Sequence, residues 1–182
     1  IPTHFIDSMA GPLMKKKSKF HRIDGLHGHI HLHPHMRPSS VSNPPKVMVR
    51  RLLGDGIHDS DEIEKIPENW LDGLNLSYAD ENEVKGNPWD LISKISEMDG
   101  VITQSVTLAS EAVLLGVPTL LVSKAKRGFL DRLVSEGHPL FIAKENDDSI
   151  LAAWLAGIHL TDALDEPDWP NAKSELINLI KD

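Results

Sequence analysis

The sequence predicts an α/β fold, in which a Rossmann-like parallel sheet is covered by helices on both faces. From residue 71 onward, short apolar segments alternate with longer segments whose apolar residues recur at helical spacing. Strands that alternate with helices form βαβ units, and their crossovers make the sheet parallel. The segment PTLLVS at 118–123 is almost continuously apolar, as is typical of a strand that is buried on both sides.

The individual elements follow in order along the chain. The predicted strands are LNLSYA at 74–79, VIT at 101–103, PTLLVS at 118–123 and PLFIA at 139–143. Between and after them, N-capping residues, apolar periodicity and terminal glycines predict the helices. These run from Asn87 or Asp90 to Gly100, over TLASEAVLLG at 107–116, over GFLDRLVSEG at 128–137, from Asp147 or Asp148 to about Gly157, and from Pro170 onward.

The chain consists of two regions with different sequence patterns. Residues 1–70 are predicted to be an irregular N-terminal segment with one histidine-rich strand, and residues 71–182 the Rossmann-like domain. Within the first region, HGHIHLHPH at 27–35 places five histidines on alternate positions, so HIHLH predicts a strand with its histidines on one face. For VMVRRLL at 47–53, a strand and a helix are both consistent with the sequence.

The alternating histidines also suggest a metal site, which gives one alternative function. IDGLHGHIHLH is similar to the first metal-binding strand of amidohydrolase barrels. Those barrels take further histidines and an aspartate from later strands, and they have roughly 250 residues. Only His58, His138 and His159 follow residue 35 in this chain of 182 residues. We therefore predict no bound metal, and a metal-dependent amidohydrolase is the least favoured alternative.

Charge and cysteine content exclude several other classes of protein. The net charge is −8 and the isoelectric point about 5.6, which argues against a nucleic-acid-binding protein. The chain has no cysteine, so disulfides and thiolate chemistry are excluded and a cytoplasmic location is favoured. No apolar run approaches the roughly 18 residues of a membrane span.

Ligands of open parallel sheets bind at the carboxyl ends of the strands, and this rule selects three loops, of which the third is 33–37 after the histidine strand. In the loop 104–107, Ser105 or Thr107 can cap the following helix, whose amino end can bind a phosphate. Glu111, further along that helix, can reach the diol of a ribose, although a simple helix cap explains the loop equally well. In the loop 123–128, the three cations Lys124, Lys126 and Arg127 suit a diphosphate, and solvated side chains are the alternative.

A longer segment carries a family resemblance. Residues 98–137 resemble the donor-binding half of GT-B glycosyltransferases and of the related non-hydrolysing UDP-sugar 2-epimerases. The pattern is an aspartate, a short apolar strand, a loop of small residues, Glu-Ala, Gly-x-Pro and a second apolar strand. Its elements are Asp99, 101–103, 104–107, Glu111-Ala112, Gly116-Val117-Pro118 and 119–122. The segment Asp131 to Gly137 is similar to the D-R-x-L-x-x-x-G motif of a mainly archaeal group of GT-B-like proteins.

The resemblance implies transfer of a sugar from a UDP-linked donor to an acceptor in polysaccharide biosynthesis. It implies that Ser105 and Thr107 contact the donor phosphates and Glu111 the ribose. His33, His35 and Arg37 would contact a phosphate or the acceptor. It also implies an N-terminal half of roughly 150 residues, which would supply the catalytic base. The alternatives are a UDP-sugar 2-epimerase, and a nucleotide-sugar-binding domain or fragment without catalysis.

Overall fold

Five parallel strands form a single sheet. The computed structural model describes residues 21, 23–33, 40–52, 64–79, 88–160 and 169–181. The strands are β1 Lys46–Arg50, β2 Asn75–Tyr78, β3 Gly100–Thr103, β4 Thr119–Val122 and β5 Leu140–Ala143. They lie in the order β2-β1-β3-β4-β5, and every neighbouring pair is parallel. With helices on both faces, this confirms the predicted α/β, Rossmann-like fold.

The helices connect the strands and close the chain. They are α1 Gly28–His31, α2 Pro88–Ser96, α3 Val106–Leu114, α4 Gly128–Ser135, α5 Asp148–His159 and α6 Ala172–Lys181. A short 3-10 helix covers Glu68–Leu71. α2 ends four residues before Gly100, the glycine predicted to end it. Gly100 instead begins β3, where a Cβ would lie 2.8 Å from side-chain atoms of both Trp154 and Ile158, so the glycine lets α5 approach the sheet.

Each face of the sheet carries its own hydrophobic core. On one face, Met48 and Val101 pack against residues of α2, α3 and α4, among them Ile95, Leu108 and Leu133. On the other face are Val47, Val49 and Ile102, together with Trp70 of the 3-10 helix and Trp154 of α5. Alternate strand residues therefore point to opposite cores, as the pleat of a strand requires.

The predicted histidine-rich strand is wrong, because residues 28–31 form the one-turn helix α1. The buried Nδ1 atom of His29 accepts a hydrogen bond of 2.8 Å from the backbone amide of Leu26, three residues earlier. This bond closes a turn, and the tight packing of Gly28 on Leu114 holds α1 against α3. Both contacts favour helical over extended backbone, so His27, His29 and His31 do not share one face: His29 is buried, whereas His27 is exposed.

The N-terminal part of the chain also supplies an interior strand of the sheet. VMVRRLL proves to contain a strand, because β1 pairs with β2 on one side and with β3 on the other. The sheet thus includes a strand from the region that was predicted to be irregular. Among the described residues, no helix is long and apolar enough to cross a membrane.

Candidate functional site

β1 and β3 are neighbours in the sheet, and the described residues that follow them lie on opposite faces. After β1, Trp70 and Leu71 of the 3-10 helix lie on one face. After β3 the chain enters α3, which packs on the other face. In a sheet of order 2-1-3-4-5, such folds bind ligands at the carboxyl ends of the first and third strands. We call this part of the sheet edge the crevice.

The amino end of α3 forms one side of this crevice. Ser105 is its N-cap, and its Oγ atom accepts a hydrogen bond of 3.3 Å from the amide of Leu108. The Ser105 amide itself donates to Thr103 Oγ1 at 2.9 Å. Within the described part of the chain, the amides of Val106 and Thr107 donate to no protein group. Two free N–H groups and the positive end of the helix dipole make this end of α3 attractive to an anion.

Glu111 lies on the same side of α3 as Thr107, four residues and therefore about 6 Å further along the helix. Its side chain is 16% exposed and does not point into the hydrophobic interior. Its Oε1 atom lies 3.1 Å from Nε2 of His31, which belongs to α1. The predicted residues Ser105, Thr107 and Glu111 are thus all carried by one helix, and α1 lies beside the carboxylate.

Lys124 and Arg127 lie in the next loop of the same sheet edge. The ammonium group of Lys124 forms a short ion pair with the carboxylate of Glu64. This hydrogen bond, and then the charge of Glu64, raise the pKa of Lys124 above its usual value. Arg127 immediately precedes α4, and its Nη1 atom donates to the Lys126 carbonyl at 3.1 Å. A ligand phosphate would therefore compete with Glu64 for Lys124.

Three residues, His33, His35 and Arg37, were predicted to contact a phosphate or the acceptor, and the structure describes one of them. His33 follows α1 and is exposed. His35 and Arg37 lie outside the described residues.

Gln104 is a component of the crevice that the sequence analysis did not select. Its side chain is 93% buried, with 7% exposed. Its Oε1 atom accepts a hydrogen bond from the Leu52 amide at 2.8 Å, and its Nε2 atom donates to the Glu64 carbonyl at 2.6 Å. The amide thus ties the chain after β1 to the backbone at Glu64. The only sequence signal was a large polar residue directly after a buried strand.

Glu64 also lines a depression of about 410 Å³. Its lining residues are Glu64, Lys65, Pro67, Glu68, Glu145 and Asn146. It contains none of the residues predicted to bind a ligand. Throughout the described ranges, no three histidine or carboxylate side chains are placed to hold a metal ion.

Comparison with known proteins does not assign a family. No protein-family model matches the sequence, and a search of curated proteins found no significant match. A function for the chain is therefore argued from the geometry of α3 and its surroundings, together with the sequence pattern.

Proposed function

We propose that the chain binds a nucleotide sugar and forms the donor-binding half of a glycosyltransferase. In this proposal the diphosphate lies at the amino end of α3 and the ribose beside Glu111. The observation that supports it best is one arrangement on α3. Within the described residues, the two amides at its start have no protein partner, and a largely buried carboxylate lies one turn later, at the carboxyl edge of the sheet.

The amino end of α3 suits a diphosphate for electrostatic reasons. The amides of Val106 and Thr107 donate to anionic oxygens, and the helix dipole adds roughly 0.3–1 kcal/mol per charge near an exposed helix end. Lys124 and Arg127, in the loop after β4, bring two positive charges to the same edge of the sheet. In a transfer reaction these groups would stabilise the departing diphosphate, which needs no covalent intermediate with the protein.

Glu111 suits the sugar part of a nucleotide. An ionised carboxylate only accepts hydrogen bonds, and its two oxygens match two neighbouring hydroxyl groups. The rise of about 6 Å from Thr107 to Glu111 is close to the span of a phosphate and the ribose esterified to it. A cytoplasmic enzyme with a UDP-linked donor, and contacts from His33, His35 and Arg37 to a phosphate or the acceptor, belong to the same proposal.

A thermal-shift panel with UDP, ADP and GDP tests the proposal. A nucleotide present at 100 times its dissociation constant stabilises the fold by about 2.7 kcal/mol. For a chain of this size that corresponds to a rise in melting temperature of roughly 5–10 °C. Glu111→Ala should abolish most of the shift, whereas Glu97→Ala, which removes an exposed carboxylate after α2, should retain it. The absence of a shift with all three nucleotides would contradict nucleotide binding.

Product analysis separates transfer from the related chemistry. The complete protein would be incubated with a UDP-linked sugar that binds, with and without candidate acceptors. Glycosylated acceptor supports the transferase. A C2-epimerised donor without transfer would instead assign the chain to epimerase chemistry, and binding without any product would leave a binding domain.

A further inference from the structure

α1 is held against α3 by packing near its amino end. Before α1, Arg132 of α4 donates from Nη2 to the carboxylate of Asp24 at 3.0 Å. Gly28, the first residue of α1, lies so close to Leu114 that a Cβ would come within 2.5 Å of the leucine Cδ1 atom. The imidazole of His29 packs edge-on against Trp169, with ring centroids 4.8 Å apart. The position of α1 along α3 is therefore set by packing that does not involve Glu111.

This placement brings His31 to Glu111. The distance from His31 Nε2 to Glu111 Oε1 is 3.1 Å, and the two side chains are 20% and 16% exposed. The other ring nitrogen, Nδ1, lies 3.2 Å from the backbone carbonyl of His27. Both ring nitrogens thus face oxygen atoms, and the Nε2–H tautomer of the ring donates to the carboxylate of Glu111.

The hydrogen bond restricts the carboxylate to one orientation. A glutamate side chain has three rotatable bonds, and ordering it when a ligand binds costs conformational entropy. The hydrogen bond with His31 restricts the side chain of Glu111 before a ligand binds, so less conformational entropy is lost on binding. His31 engages Oε1, while within the described residues Oε2 accepts no hydrogen bond from a protein group.

We propose that His31 is a positioning residue for Glu111, so that α1 and α3 together form the walls of the ribose site. The inference rests on the proposed function, because it concerns the same carboxylate. Its consequence is a substrate class: the site should discriminate ribonucleotides from 2′-deoxyribonucleotides. A carboxylate fixed by His31 can accept from both hydroxyls of a ribose diol, whereas a freely rotating one gains less from the second hydroxyl.

The test is isothermal titration of the protein with UDP, ADP and GDP and with the 2′-deoxy counterpart of each. Two variants are compared with wild type. His31→Gln retains an N–H donor at nearly the same reach as Nε2. His31→Met has a similar length and flexibility but no donor, so neither variant leaves a large cavity. His159→Ala, which removes an exposed histidine at the end of α5, is the control.

Wild type, His31→Gln and the His159→Ala control should bind the preferred ribonucleotide about tenfold more tightly than its 2′-deoxy form, which corresponds to one charge-assisted hydrogen bond. In His31→Met this ratio should fall below threefold. If His31 had a purely structural role, His31→Met would lower the affinity for both nucleotides equally and leave the ratio of the two affinities unchanged. That outcome overturns the inference. If wild type binds none of the nucleotides, the proposed function itself fails, and the inference fails with it.

Discussion

Gly28 of α1 and Leu114 of α3 are in direct contact at a point where no side chain other than hydrogen fits. A Cβ at position 28 would lie 2.5 Å from Leu114 Cδ1 and 3.3 Å from Leu32 Cδ1. Leu114 is 2% exposed and belongs to the core of that face, so it cannot move aside without disturbing its neighbours. This glycine is what allows α1 to approach α3 closely enough for His31 to reach Glu111.

Gly28→Ala should therefore destabilise the protein. Overpacking of a well-packed contact typically costs about 1–3 kcal/mol, which outweighs the roughly 1 kcal/mol by which alanine is favoured over glycine in a helix. The free energy of unfolding would be measured by urea denaturation. Leu114→Ala alone should cost about 2–5 kcal/mol through the cavity it leaves.

The double variant Gly28→Ala with Leu114→Ala is the control for this contact. The new methyl group then occupies part of the space vacated by the leucine. Its loss of stability should be smaller than the sum of the two single losses by at least about 0.5 kcal/mol. Strict additivity would show that the clash is relieved elsewhere.

Gln104 connects two backbone groups that otherwise have no common partner. Gln104→Ala leaves the partly buried Leu52 amide and Glu64 carbonyl without their hydrogen bonds, and each such loss costs about 1–2 kcal/mol, the lower part of the range for buried groups. We expect a loss of unfolding free energy of about 2–4 kcal/mol, measured by denaturant unfolding. Thr107→Ala, which changes an exposed side chain in the same loop and helix start, should cost far less.

Gln104→Glu distinguishes the two hydrogen bonds. An ionised glutamate still accepts from Leu52, but it faces the Glu64 carbonyl with a second acceptor. A protonated glutamate donates to that carbonyl as the glutamine does. The deficit of Gln104→Glu relative to wild type should therefore shrink when unfolding is measured at pH 5 in place of pH 7.5. An equal deficit at both pH values would show that the donor to Glu64 contributes nothing.

The sequence predicted those elements whose signals are local. Ser105 and Asp147 were among the expected N-caps, and both side chains accept a hydrogen bond from an amide in the first turn of their helices. The apolar strands at the centre of the sheet and the glycine that follows α4 were recognised for the same reason. Information about each of these elements lies within a few residues of it.

The sequence could not predict features that depend on distant residues. α1 has one turn, which is too short to be stable by its own propensity, and its alternating histidines fit a strand equally well. Its conformation is decided by Leu114 and Trp169, which are far away in the chain. Likewise β1 was ambiguous until its pairing with β2 and β3 was known, and the partner of Glu111 is 80 positions away.

Ser105 allows the stability of α3 to be separated from its affinity for anions. Ser105→Ala removes the N-cap and should lower the free energy of unfolding by about 1 kcal/mol. Ser105→Asp restores a cap and adds a charge that the helix dipole favours, so its stability should be close to that of wild type. The same charge repels a phosphate, and Ser105→Asp should lose at least tenfold in affinity for nucleoside diphosphates. Retention of full affinity by Ser105→Asp, measured by titration calorimetry, would place the phosphates elsewhere.

His29 should make the fold sensitive to mild acid. Its Nδ1 atom accepts from the Leu26 amide, so the ring must be unprotonated there. Burial, followed by the positive charges of His138 and Arg132, lowers the pKa of His29 from 6.5 to about 4, although Glu136 and Asp24 act in the opposite direction. The unfolded chain then binds a proton that the folded chain does not. The stabilisation is complete above pH 6.5 and decreases as the pH falls towards 4, by about 2 kcal/mol between pH 7.5 and pH 5.

His29→Asn isolates this effect, because the asparagine oxygen can still accept from Leu26 but does not titrate. Unfolding free energies of both proteins would be measured from pH 7.5 to pH 5. The curve of the variant should be flatter than that of wild type by about 2 kcal/mol over this range, even if its stability at neutral pH is lower. His138, whose pKa is also lowered by burial, contributes in the same direction in both proteins and does not cancel the difference. The control His159→Asn removes an exposed histidine, and its curve of unfolding free energy against pH should be parallel to that of wild type. If the curve of His29→Asn were also parallel to that of wild type, His29 would not be the group responsible for the acid sensitivity.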